Sequence, residues 1–336
     1  MIKTINDFEN VFFIGIAGTG MSAIAQYLNG VGKQVSGSDR YFNAGENNDV
    51  KNKLESEGIK CFLQNGEGIN SNTQLVVVST AVEDTVPEVQ KAKSLNIPII
   101  KRSDLLSLIA KSKKTIAVGG TSGKSTTSAM LFDILSLAGM EPSIISGAGL
   151  VSIIREGKIG NAKVGKGDWL IIEADESDGS IVKYTAEIGL LLNVDKDHQE
   201  IDELMSIFSE FKKNTSSIFI TNQGNKLAAS LSNDIAYDFS TNPEITTGYT
   251  STDFAQAGMC IEFKLLGQHF ELNTVGKHNM ENAVAAVAVA HQIGVTLECC
   301  SNALKNYEGI YRRHQLLGKK NGVYVIDDYG HNPVKC

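Results

Sequence analysis

The sequence predicts an α/β protein: a Rossmann-like N-terminal domain, then a P-loop ATPase-type central α/β domain, with only the first strand of a third domain at the end of the chain. Three observations carry this. Short apolar runs of strand length alternate with helical patterns from Val11 onward. Two of those runs lead straight into glycine-rich turns at a helix start, Gly15-Ile-Ala-Gly-Thr-Gly20 and Gly119-Gly-Thr-Ser-Gly123. At 336 residues the chain has room for two domains and part of another.

Composition narrows the function classes. Hydrophobic residues make up 42% of the chain, enough for ordinary globular cores. A formal net charge of −7 argues against nucleic acid or an anionic membrane as the main partner, though it permits a local anion pocket. The cysteines, Cys61, Cys260, Cys299, Cys300 and Cys336, are odd in number and lack Cys-x-x-Cys spacing. Neither a disulfide framework nor a zinc site is expected. Residues 1–10 lack a signal-peptide core, and no run approaches the ~18 apolar residues of a membrane span. A cytoplasmic location is therefore expected.

The first domain is expected over residues 1–112. Val11-Phe-Phe-Ile14 reads as a buried strand, followed by the glycine turn and a helix over Met21–Asn29. Gln34–Asp39 reads as a second strand ending in an acid. This β-α-β unit is similar to a nucleotide-binding fingerprint, but its spacing is Gly-x-x-Gly-x-Gly. Tight β-α packing accounts for it equally well. A helix over Asn47–Glu57, an extended Lys60–Leu63 and a buried strand over Gln74–Ser79 follow. Pro87 opens a helix to Ser94, a good first-turn use of proline. Ile97–Ile100 is a short strand, and Ser103 is expected to cap a helix over Asp104–Lys111. The polar run Lys111-Ser-Lys-Lys114 reads as a connector.

The central domain is expected over residues 113–312. Ile116–Val118 is a strand and Lys124–Ala138 a helix with Met130, Leu131, Ile134, Leu135 and Leu137 on its apolar face. Ser143–Ser146 is followed by a polar segment, Arg155–Gly167, read as a surface loop or hairpin. Strands Trp169–Ile172 and Ile188–Leu192 end in Glu173-Ala-Asp-Glu-Ser-Asp178 and Asn193-Val-Asp-Lys-Asp-His198. Ser217–Thr221 is a further strand. Met259–Leu265 and His269–Leu272 read as a hairpin around Gly267. Helices follow over Ala283–His291 and Leu297–Asn306, the second capped by Thr296. Residues 313–336, with one strand over Gly322–Ile326, read as a hinge and the start of a third domain. The chain is expected to stop just inside that domain.

The chemistry centres on Gly120-Thr-Ser-Gly-Lys-Ser125. Strand, glycine turn and helix start make a phosphate cradle, because glycines let backbone N–H groups approach the oxygens at the positive end of the helix. Lys124 would reach the β/γ-phosphates and Ser125 would ligate Mg²⁺. The common P-loop spacing would need glycine at position 118, where this chain has Val118. A nucleoside triphosphate brings Mg²⁺, which prefers oxygen ligands, so Ser125 and Glu173 are the natural pair. A second ion would use His198 beside Asp195 or Asp197. At least one carboxylate of the Glu173–Asp178 run is expected to bind metal, rather than Glu173 and Glu176 both being solvated.

The chain resembles the Mur ligases, ATP-dependent amide-forming enzymes of peptidoglycan synthesis. The resemblance rests on nine motifs in the family's order: Gly15-Ile-Ala-Gly-Thr-Gly-Met-Ser-Ala-Ile-Ala25, Gly37-Ser-Asp39, Val78-Ser-Thr-Ala81, Gly120-Thr-Ser-Gly-Lys-Ser-Thr126, Glu173-Ala-Asp-Glu-Ser-Asp178, Asn193 with Asp197-His198, Gly276-Lys-His-Asn279 with Asn282, Arg312-Arg313, and Asp327-Asp-Tyr-Gly-His331. It implies that the first domain holds a UDP-sugar through Gly18, Thr19, Gly20, Met21, Ser38, Asp39 and Ser79. It implies that Gly120, Thr121, Ser122, Gly123, Lys124, Ser125 and Thr126 hold the phosphates of ATP. Asn279 and Asn282 would contact adenine, and Arg313 and Asp328 would reach the nucleotide from the hinge. Lys124, Glu173 and His198 would be catalytic, with Ser125, Glu173 and His198 holding Mg²⁺. The implied reaction joins an amino acid, expected to be L-alanine, to the carboxylate of UDP-N-acetylmuramate through an acyl phosphate.

Several positions depart from the family pattern. Ser122 stands where His is usual, Ser125 where Thr is usual, and Lys196 where Pro is usual. His314-Gln315 replaces Phe-Asp, and Asn332 replaces a second His. Ser125 keeps its hydroxyl. The other changes fit a relative with a different acceptor, such as one recycling murein tripeptide, or a non-catalytic paralogue that binds a UDP-sugar or nucleotide. With its acceptor domain cut short, the chain as given is expected to be inactive in ligation.

Overall fold

The computed structural model describes residues 2–79, 82–176, 179–196 and 200–329. In the N-terminal part, β1 (Asn10–Ile14), α1 (Thr19–Gly30), β2 (Gln34–Asp39), α2 (Arg40–Asn43), α3 (Asn48–Ser56), β3 (Lys60–Leu63), β4 (Leu75–Val78), α4 (Pro87–Ser94), β5 (Ile99–Lys101) and α5 (Arg102–Ala110) follow in order. The strands form one parallel sheet, ordered β3-β2-β1-β4-β5. β1 lies between β2 and β4, with Ile14 opposite both Ser38 and Val78. Phe12, Phe13 and Ile14 are buried, as a strand covered on both faces requires.

Two details differ from the sequence reading. α1 starts at Thr19, because Gly18 is extended and serves as its N-cap. Ser103 does not cap α5. The helix begins at Arg102 with Lys101 as N-cap, and the Asp104 carboxylate accepts the Lys101 N–H at 3.4 Å. Ser103 is buried and accepts a hydrogen bond from Lys183 Nζ at 3.2 Å. An acid three residues into a helix can supply the cap that the serine was expected to give.

The central part continues with β6 (Lys114–Gly119), α6 (Lys124–Leu137), β7 (Ser143–Ile145), α7 (Val151–Ile154), β8 (Ala162–Lys163), β9 (Trp169–Glu173), β10 (Ala186–Leu191), α8 (Ile201–Lys213), β11 (Thr215–Thr221), α9 (Lys226–Ala229), β12 (Phe239–Ser240), β13 (Tyr249–Ala257), β14 (Cys260–Leu265), β15 (Gln268–Leu272), α10 (Lys277–Gln292) and α11 (Leu297–Lys305). Six strands form a sheet in the order β11-β10-β6-β9-β7-β8, parallel except for β8 against β7. A four-stranded sheet, β12-β13-β14-β15, packs beside it. α6, α10 and α11 share an apolar core with both sheets. Thr296 caps α11 as expected, accepting the Cys299 N–H at 3.2 Å.

The Arg155–Gly167 segment is not simply a surface loop. Gly160, Asn161 and Ala162 are buried, with β8 on the edge of the sheet. Polar residues can be buried there because hydrogen bonds to α1 satisfy them. At the end of the described chain β16 (Gln315–Lys320) pairs with β17 (Val323–Asp327), where the sequence reading had a single strand. Asn321 and Gly322 link them, both at positive φ. An Asn-Gly pair at positive φ is the turn that matches strand twist, and it carried a hairpin signal that the reading passed over.

Candidate active site

Strand register builds the site. β6 lies between β9 and β10, with Val118 opposite Glu173 and Gly119 opposite Leu191. The glycine loop therefore leaves the sheet between two strand ends, one carrying Glu173 and the other leading to Asn193. Gly120 and Gly123 have φ of 136° and 86°. A β-carbon at Gly123 would collide with Asn282 Oδ1, so the loop can pass there only as glycine. Asn193 pins the loop: its Oδ1 accepts Thr121 Oγ1 and the Ser122 N–H, both at 2.9 Å. Thr121 Oγ1 in turn accepts the Asp195 N–H at 3.1 Å.

Lys124, the first residue of α6, donates to Gly120 O at 2.7 Å and to Glu176 Oε2 at 2.6 Å. Glu176 is 5% exposed, so it is not a solvated loop carboxylate. Its contact is the ammonium of Lys124. Ser125 Oγ donates to Glu173 Oε2 at 2.9 Å. The other oxygen of Glu173 accepts Ser146 Oγ at 2.6 Å and the Gly147 N–H at 2.7 Å. A hydroxyl and a carboxylate held this way can share a hard cation, leaving further positions to water and phosphate oxygens. Among the described residues no three His, Cys, Asp or Glu side chains gather as a metal cage. His198 and Asp197 lie outside the described residues.

Asn279 and Asn282 lie in the first turns of α10, both nearly buried. Asn282 Oδ1 accepts Thr127 Oγ1 at 3.2 Å, which ties α10 to the loop helix α6. Asn279 Nδ2 donates to Thr274 Oγ1 at 2.9 Å and Val275 O at 2.8 Å. Asp328 pairs with His314 at 3.0 Å, and His314 packs against His278 with ring centroids 5.3 Å apart. Burial first, and His314 second, hold the His278 imidazole below its usual range, with Asp328 opposing them. Arg313 is exposed, and its N–H donates to Ile310 O at 3.2 Å.

A second cluster forms at the same end of the N-terminal sheet. The Gly15 and Ile16 N–H groups donate to Ser38 O at 2.8 and 3.1 Å. Asp39 accepts the Ala17 N–H at 2.9 Å and the Tyr41 N–H at 3.0 Å, so its carboxylate shapes the loop and caps α2. A β-carbon on Gly15 would lie 3.7 Å from Ser79 Oγ. Gly18, Thr19, Gly20 and Met21 form the start of α1 beside this cluster. The register of β2, β1 and β4 thus brings the sequence-predicted residues to one edge. Arg102 was missed. A β-carbon on Gly20 would lie 3.1 Å from its Nη1, placing a cation at the start of α1. Ser146 and Glu176 were missed as partners of Glu173 and Lys124. Their contacts span 27 and 52 residues and leave no local motif.

Residues 10–114 match the Mur ligase family, catalytic domain, and residues 118–290 match the Mur ligase middle domain. The chain is 36% identical over 338 residues to a UDP-N-acetylmuramate–L-alanine ligase of Carboxydothermus hydrogenoformans, covering 97% of this chain and 71% of that one. Its fold is similar to the crystal structure of the UDP-N-acetylmuramate–alanine ligase of Thermotoga maritima, with a TM-score of 0.83, 26% identity, and coverage of 97% of this chain and 75% of that one. A murein peptide ligase of Psychrobacter arcticus shares the fold at a TM-score of 0.78 and 22% identity, over 97% of this chain and 74% of that one.

Proposed function

The chain belongs to the Mur ligase family, and we propose that it joins L-alanine to the carboxylate of UDP-N-acetylmuramate in an ATP-dependent step of peptidoglycan synthesis. The observation that carries this is the convergence of Lys124, the Ser125 hydroxyl and the Glu173 carboxylate at the start of α6. The curated relatives supply the identity of the two substrates.

In this reading residues 1–112 hold the UDP-sugar, 113–312 hold ATP, and 313–336 form the hinge and the start of the amino-acid-binding domain. Gly18, Thr19, Gly20, Met21, Ser38, Asp39 and Ser79 line the UDP site, and Arg102 adds a cation for its pyrophosphate. Residues 120–126 cradle the ATP phosphates, with Asn279 and Asn282 toward adenine and Arg313 and Asp328 reaching in from the hinge. Ser125, Glu173 and His198 would hold Mg²⁺, which neutralises charge on the phosphate oxygens when bound.

The reaction then runs in two displacements. A carboxylate oxygen of the sugar's lactyl group attacks the γ-phosphorus and ADP leaves, giving an acyl phosphate. The neutral amine of the amino acid attacks the acyl carbon, phosphate departs with the electron pair of the broken C–O bond, and the proton lost by the amine nitrogen passes to the departing phosphate. Lys124 exchanges its Glu176 partner for the transferring group, whose negative charge it stabilises in a largely dehydrated site. The test is phosphate release by the full-length protein with ATP, Mg²⁺ and UDP-N-acetylmuramate, screened across amino acids and murein tripeptide. Release with L-alanine supports the reading. Release with tripeptide alone would redirect it to the recycling activity, and release with neither would reject ligation in favour of a binding paralogue.

A further inference from the structure

A polar contact buried between the N-terminal and central parts joins the two ligand sites. Asn161, just before β8, is 1% exposed. Its Nδ2 donates to Thr19 O at 2.7 Å and Ser22 Oγ at 3.0 Å, both in the first turn of α1. Its Oδ1 accepts Gln26 Nε2 at 2.8 Å, and that amide also donates to Ser22 O at 2.9 Å. The backbone of Asn161 continues the path, since its carbonyl accepts the Ser146 N–H at 2.9 Å. Ser146 Oγ then donates to Glu173, which accepts Ser125. Gly160 sets the direction of this turn: its φ is 101° and a β-carbon there would collide with Ile154.

We propose that Asn161 is a positioning residue that couples the UDP-substrate site at the start of α1 to the metal-binding carboxylate Glu173. The proposal rests on the assignment of those two sites above. Apolar packing alone could hold the two parts together, as it does where Val164 meets Gly30. Apolar packing tolerates sliding. A carboxamide with donor and acceptor both engaged fixes one register, and leaving either unpaired in a buried site is costly. A shift of α1 on substrate binding is therefore felt at Ser146 and Glu173, and metal binding at Glu173 is felt at Thr19. Linkage makes that coupling reciprocal.

Calorimetry on the full-length protein tests this. The titrant is the Mg²⁺ complex of a non-hydrolysable ATP analogue, with and without saturating UDP-N-acetylmuramate. In the wild type each ligand should change the affinity of the other by about fivefold or more. In Asn161→Ala the factor should fall to within about twofold of one, with each ligand alone bound within about threefold of wild type. Gln26→Ala removes only the group that orients the Asn161 amide, and it should lower the factor in the same direction. If Asn161→Ala does not fold, Gln26→Ala decides. A purely structural contact would lower the unfolding midpoint and leave the coupling factor unchanged. That result, or no coupling in the wild type, overturns the proposal. Absence of UDP-N-acetylmuramate binding in the wild type instead rejects the functional reading, and this inference with it.

Discussion

Lys124 is held at 2.6 Å by the buried carboxylate of Glu176, which fixes the position of its ammonium at the start of α6. In the proposed reaction this ammonium would turn to the phosphate oxygens and stabilise the charge of the transferring group. Lys124→Ala should lower ligation by about 10³-fold, measured as phosphate release, with UDP-N-acetylmuramate binding unchanged. Ser125→Ala should raise the Mg²⁺ concentration for half-maximal rate by about tenfold, whereas Ser125→Thr should stay within about threefold. Equal Mg²⁺ dependence in both variants would remove Ser125 from the metal site. At this scale the sequence pointed to Lys124, Ser125 and Glu173, because a loop motif and a strand end announce them. Glu176, Ser146, Asn161 and Arg102 were not legible in those roles. Each lies against residues far away in the chain, and only the fold brings them together.

Strand register and helix burial set what each element can tolerate. α6 carries the phosphate loop at its start and Asp133 in its third turn. Burial, with repulsion from Glu308 added and attraction to Lys163 opposing, pushes the Asp133 carboxyl up to about 7. A folded-state value above the unfolded one means that the native state holds this proton more tightly. Stability from this group is therefore greatest in acid and is lost as pH rises from about 4 to 7. Asp133→Asn keeps the shape without the charge. It should be more stable than wild type by about 2–4 kcal/mol at pH 8, with a smaller margin at pH 5, in urea titrations. A margin that does not change with pH would contradict the assignment. Most elements were readable from periodicity and turns, including β2, β3 and α4 with their observed limits. β13 was not, since Tyr249-Thr-Ser-Thr-Asp-Phe254 has too few apolar positions to show alternation. α10 begins at Lys277, before its apolar run, because its first turns carry the site asparagines.

Across the molecule, one apolar cluster runs from Phe13, Ile24 and Leu105 to Ile145, Leu170 and Ile172, joining the N-terminal and central sheets. The sequence suggested a polar connector at Lys111–Lys114, of which Lys114 already opens β6, and it gave no sign of the apolar surface shared by the two parts. It combines residues from both parts that have no sequence signal in common. A shared core should make the two parts unfold together. Fluorescence of Trp169, the one tryptophan in the sequence, reports the central part, and far-UV circular dichroism reports both. Their urea transitions should coincide, and separate midpoints would show that the parts are thermodynamically independent. Among the described residues no helix is long and apolar enough to cross a membrane. Isotope transfer tests most directly whether this site activates a carboxylate by phosphorylation. With UDP-N-acetylmuramate carrying ¹⁸O in both oxygens of its lactyl carboxylate, turnover by the full-length protein with ATP and L-alanine should deliver one ¹⁸O atom to each phosphate released. Unlabelled phosphate would contradict the account, because it would mean that no bond forms between that carboxylate and the γ-phosphorus.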